Sequence, residues 1–117
     1  MAEQRSPVTR LIGACLVAPE LAERVPLQVM AKLKPFSRAV ILAMRQTSDP
    51  HVLLDALALA GFDRAKAERW CCRAIDTVPN PLPDWEPKTM DELKRWRADP
   101  GGPDAEDVFK YALGALR

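Results

Sequence analysis

Pro7, Pro19, Pro26, Pro35 and Pro50 divide the first half of the chain, and Pro79, Pro81, Pro83 and Pro87 crowd a later stretch. Each ring removes an amide hydrogen and disfavours helical geometry at the residue before it, so no long helix runs through these positions. Proline is well placed only at the first turn of a helix, where its missing amide has no partner in any case. Between the prolines, apolar residues recur at helical spacing. The sequence therefore predicts a series of short helices, each opened or closed by a proline.

Ser6 and Pro7 read as an N-cap and a first helical residue, with Val8, Leu11, Ile12, Cys15 and Leu16 on one face. Pro19 ends this helix and opens a turn to Arg24, whose Glu20 and Glu23 suit a helix N-terminus. A short helix near 27–33 follows, then a longer one near 35–46 with Phe36, Val40, Ile41 and Met44 inward. In "TSDPHVLLDALALAG", Ser48 or Asp49 caps, Pro50 opens and Gly61 closes a further helix. Asp63 caps another, with Ala67, Trp70, Cys71, Ala74 and Ile75 as its stripe.

The stretch "TVPNPLPDWEPK", residues 77–88, cannot be helical and favours extended backbone. It reads as a connection across the bundle surface pinned by Leu82 and Trp85; the alternative is a proline-rich ligand for an aromatic groove. Thr89 then caps a short helix carrying Met90, Leu93 and Trp96. After a turn at "ADPGGPD", Asp104 caps a last helix with Ala105, Val108, Phe109, Ala112, Leu113 and Leu116 on one side. No segment alternates as a strand does. The expected fold is one all-α domain over residues 1–117, a compact bundle of seven to eight short helices. Its expected core includes Leu11, Ile12, Leu16, Leu21, Phe36, Val40, Ile41, Leu54, Leu57, Trp70, Leu113 and Leu116.

Composition narrows the function classes. Hydrophobic residues at 48% and charged residues at 28% are those of a folded globular chain. No apolar run reaches the ~18 residues of a membrane span, and the N-terminus lacks a secretory h-region, so the cytoplasm is the expected location. Residues 1–76 hold eleven basic against eight acidic residues and residues 77–117 six against eight, giving +3 and −2 within a net charge of +1. No global field selects for nucleic acid.

Catalytic chemistry has little to work with. Cys15, Cys71 and Cys72 make neither a disulfide framework nor a spaced metal pair, and Cys15 and Cys71 fall on apolar stripes as small buried hydrophobes. His51, the single histidine, sits in a first helical turn as a solvated residue with no nucleophile drawn to it. Gly101 and Gly102 lie between prolines and read as a turn, not a phosphate loop. A non-enzymatic chain without metal or cofactor is expected.

Two basic groups suggest a nucleic-acid surface instead. Lys66, Arg69 and Arg73 share a helix face, and Lys32, Lys34 and Arg38, with Arg45, form a second group. The solvated side of any amphipathic helix looks alike, and no basic–aromatic pattern accompanies either group in the sequence.

The stretch "VTRLIGACLVAPELAERVP" resembles the start of the C-terminal helicase-binding domain of bacterial primase, to which the N-terminal domain of the replicative helicase is related. The likeness continues through "PFSRAVILAMRQTSDPHVLLDALALAG", so that Val8 to Gly61 carries it, and returns weakly in "DAEDVFKYALGAL". The resemblance implies a helical bundle that binds the replicative helicase hexamer. In the family, a long helix and terminal hairpin follow the bundle, and a zinc ribbon and a metal-binding polymerase core precede it; none of these is legible here. The chain is then expected to be either the bundle part of a primase or a stand-alone protein of a phage or plasmid. Such a module is expected to stimulate the helicase, recruit it or compete with primase. The expected contacts are Arg38, Arg45, Trp85 and Trp96. Direct DNA binding through Lys32, Lys34, Lys66, Arg69 and Arg73, or binding to another host factor, are the alternatives.

Overall fold

The structure is a computed structural model, and it describes residues 6–75, 78, 93 and 105–116. The chain folds as an all-α bundle, with no strand among the described residues. In order, these form α1 (Pro7–Val17), a 3-10 helix (Pro19–Arg24), α2 (Leu27–Lys32), α3 (Pro35–Gln46), α4 (Pro50–Leu59), α5 (Arg64–Ile75) and α6 (Ala105–Leu116). The prolines act as expected. Four of them occupy the first turn of a helix, and Pro26 takes the N-cap position of α2.

Local chemistry fixes the ends. Ser6 Oγ accepts from the Thr9 amide at 3.2 Å. Asp49 Oδ1 accepts from the amides of His51 and Val52 at 2.8 and 3.3 Å, so Asp49 is the residue that caps α4. Asp63 Oδ1 accepts from the Lys66 amide at 2.9 Å, and that bond is the first cause of a carboxyl held below its ordinary value. Gly61 closes α4 at φ +99°, a left-handed conformation that costs a side chain strain. The Gly61 amide reaches the Ala58 carbonyl and the Phe62 amide the Leu57 carbonyl, at 3.1 and 3.0 Å, the pairing of a Schellman motif.

Helix α1 is the axis of the bundle. Leu11 to Val17 are all buried, so its second half is covered on every side. It packs chiefly on α6 and α5, and also on α3 and the 3-10 helix. Phe109, Ile75, Leu53 and Leu93 are fully buried in the same core, and Val78 is buried as well. Phe36, Trp70 and Leu116, expected inside, lie at its margin and are half-buried. His51, expected in solvent, is also half-buried.

Charged groups bind α6 to the front of the chain. Arg24 pairs with Glu106 at 2.9 Å and lies over the Phe109 ring at 5.3 Å. Lys32 Nζ donates to the Leu116 carbonyl at 2.9 Å. Cys15 and Cys71 are buried free thiols, and burial pushes both up to about 12. The proline-rich connection at 77–88 apart from Val78, and the caps Thr89 and Asp104, lie outside the described residues.

Candidate functional site

The arginines expected at a partner surface have work inside the fold. Arg38 donates from Nε to the Met30 carbonyl at 3.2 Å and from Nη2 to the Leu33 carbonyl at 3.0 Å. Arg45, two turns along α3, donates to the carbonyls of Ala22 and Val25, each at 3.0 Å. The carbonyls of the C-cap residues Leu33 and Val25 have no partner within their helices, while those of Met30 and Ala22 already accept from the C-cap amides. Each arginine therefore closes the end of a preceding short helix with a planar fork of donors.

A different feature stands out on the surface. Of the ten residues of α4 only His51 and Asp55 are polar. Pro50, Leu53, Leu54 and Leu57 face the core. Val52, Ala56 and Leu59 follow at i, i+4 and i+7 on the opposite face, where Val52 is 48% and Leu59 90% exposed. A helix apolar on both faces is ordinarily buried on both. Here one face is covered by the bundle and the other is open. Asp55, on that outer face, pairs with Arg64 at the start of α5.

A second concave region lies around Phe36, Phe62 and Trp70. Phe36 meets Phe62 edge to face at 5.2 Å between centroids and Trp70 at 5.0 Å. Phe36 and Trp70 form a wall shared by two grooves. One, of about 560 Å³, is lined also by Ser6, Val8, Thr9, Lys32, Lys34 and Ser37. The other, of about 230 Å³, is lined also by Phe62, Asp63, Lys66 and Ala67. Lysines of the two basic groups thus meet around aromatic side chains, a pattern not visible along the sequence. Arg69 and Arg73 are exposed on α5 and line neither groove. Trp85 and Trp96 lie outside the described residues.

Phe36 and Trp70 escape the core for a geometric reason. Each sits about 90° around its helix from the centre of the buried stripe, which in α3 is Ser37, Val40, Ile41 and Met44 and in α5 is Ala67, Cys71, Ala74 and Ile75. That offset is legible in the sequence once the stripe is drawn as a wheel. Ser37, at the centre of an apolar stripe, is the residue that the helical pattern should have singled out.

Among the described residues, no three His, Cys, Asp or Glu side chains converge to hold a metal ion, and no helix is long and apolar enough to cross a membrane. Compared with family models, curated proteins and solved structures, the chain finds no match in any of the three.

Proposed function

We propose that this chain is a non-enzymatic protein-interaction module whose outer α4 face docks on a helical partner, the hexameric replicative helicase. The observation that carries the interaction reading is the outer stripe of α4, exposed at Val52 and Leu59 with half-buried Ala56 between them, on a helix otherwise fixed in place. Anchors at i, i+4 and i+7 are what an amphipathic helix offers to an apolar groove or to another helix. The Asp49 cap, the Gly61 closure and the Asp55–Arg64 pair hold both ends of α4, so little ordering remains to oppose docking.

The helicase is named from the residues that resemble the primase helicase-binding domain. Val8 to Gly61 carries that likeness, and α4 is the last helix within it. Arg38 and Arg45 serve the contact by holding α2 and the 3-10 helix to α3. The expected affinity is about 1 μM, which corresponds to about 8 kcal/mol. Light scattering of the chain mixed with a helicase hexamer is the test. A stable complex with wild type and none with Leu59→Asp supports the proposal; no complex with folded wild type at tens of micromolar, well above the ~1 μM constant, removes the helicase as partner.

One observation favours the DNA-binding alternative, the meeting of Lys32, Lys34 and Lys66 around Phe36 and Trp70. Submicromolar binding of single-stranded DNA with a steep salt slope would select it over a protein partner.

A further inference from the structure

Helix α3 starts without a cap. Its N-cap residue is Lys34, which has no side-chain acceptor, and its first turn holds no acidic residue. By contrast, α1, α4 and α5 each begin at an oxygen-bearing side chain, Ser6, Asp49 and Asp63. The first intrahelical bond of α3 runs from the Arg38 amide to the Lys34 carbonyl, at 3.0 Å. Pro35 has no amide hydrogen, so the amides of Phe36 and Ser37 are the open donors at this end.

The second observation is Ser37 itself. The residue is 6% exposed, it lies on the buried face of α3, and its Oγ has no hydrogen-bond partner among the described residues. Ser37 and Phe36, the residues of the two open amides, both line the groove of about 560 Å³. A buried hydroxyl left unpaired is costly, and an acceptor placed in the groove removes that cost.

The remaining lining residues specify the acceptor. Lys32 and Lys34 bring two ammonium groups, with Lys32 giving one of its three hydrogens to the Leu116 carbonyl. No carboxylate lines the groove among the described residues. Two ammonium groups and the positive end of a twelve-residue helix match a dianion better than a single carboxylate. Val8, Phe36 and Trp70 then offer an apolar and aromatic wall to whatever carries the charge, and the volume lies within the range of small-ligand sites.

We infer that this groove binds a phosphate monoester carried on a flat aromatic body, a nucleoside monophosphate or the 5′-phosphorylated end of a nucleic-acid strand. The phosphate oxygens accept from the Phe36 and Ser37 amides and from Ser37 Oγ, next to Lys34, and the base lies against Phe36 and Trp70. The outer face of α4 takes no part, so this site and the protein-binding surface stand or fall separately.

The test is an amide-resolved NMR titration of the full chain with adenosine 5′-monophosphate, inorganic phosphate and adenosine. The monophosphate should shift the Phe36 and Ser37 amides, phosphate should shift the same two at higher concentration, and adenosine should leave them unmoved. Lys34→Glu should weaken the monophosphate by about tenfold or more. Trp70→Leu should weaken it while leaving inorganic phosphate unchanged. Ser37→Ala removes only a buried unpaired hydroxyl, so the variant should keep or raise its thermal midpoint while losing affinity for phosphate. A 5′-phosphorylated dinucleotide that binds more tightly than the monophosphate assigns the source to a strand end; equal or weaker binding assigns it to a free nucleotide. Unmoved Phe36 and Ser37 amides with both, or shifts that survive Lys34→Glu undiminished, overturn the inference.

Discussion

Arg45 Nε donates to the carbonyl of Ala22 at 3.0 Å, across 23 residues of sequence. The same guanidinium reaches Val25 through Nη2. One side chain on α3 thus satisfies two carbonyls at the end of the 3-10 helix, which has too few residues to be stable alone. Replacing Arg45 by Ala is expected to lower stability by about 1–3 kcal/mol, the range for losing charged hydrogen bonds from partly buried carbonyls. Arg45→Lys should recover only part of it, since a single ammonium does not span both acceptors in a fixed plane. Urea denaturation checks both, with the midpoint falling and the slope unchanged.

Leu57 and Leu59 lie two residues apart on α4 and face opposite ways, with Leu57 1% exposed and Leu59 90%. Leu57→Ala should cost ~2–5 kcal/mol, through lost transfer energy and a cavity. Leu59→Ala should change stability by no more than about 0.5 kcal/mol, as for other surface substitutions. Thermal melts of the two variants separate core from surface within one helix. Equal losses would place Leu59 in a covered position and remove the proposed docking face.

Gly61 has room for a side chain but not the backbone for one. Among the described residues nothing beyond the adjoining chain lies within 4 Å of an added Cβ, yet φ is +99°. The expected cost of Gly61→Ala is about 1–2 kcal/mol, all of it conformational strain at a left-handed position. A circular dichroism melt checks it, and an unchanged midpoint would contradict the Schellman closure of α4.

The buried thiols predict an alkaline limit. Burial raises Cys15 and Cys71 from 9.0 to about 12 in the folded chain. The unfolded chain therefore releases these protons first, near the ordinary thiol value. Stability from the two groups is whole below pH 9 and falls as pH rises towards 12. Denaturation midpoints compared at about pH 8 and about pH 11 should fall further for wild type than for a Cys15→Ala, Cys71→Ala double variant. Equal falls would mean that other groups set the limit.

Much of the fold was legible because its determinants are local. A proline stops or starts a helix by sterics alone, and Ser6, Asp63 and Gly61 act within a few residues of their own positions. These features place α1 to α5 within a residue of where the pattern puts them. What was not legible depends on how helices cross. The partners of Arg45 lie 20 and 23 residues away, and nothing in the spacing of a charged residue tells a carbonyl clamp from a surface contact. The Phe36–Trp70 wall joins α3 to α5, so the grooves on either side of it exist only once both helices are packed. Val52 and Leu59 read as apolar in the sequence, and which of α4's two apolar faces is covered was settled by the neighbours that α4 packs on, α3 and α5.

Calorimetric titration of a replicative helicase hexamer with wild type, Leu59→Asp and Arg73→Ala tests the proposed docking on the outer face of α4 most directly. Arg73 is an exposed cation on α5 outside that face, and it controls for a general change of surface charge. Wild type and Arg73→Ala should bind at about 1 μM, and Leu59→Asp should lose tenfold or more, at least about 1.4 kcal/mol. Wild-type affinity retained by folded Leu59→Asp would contradict docking through this face.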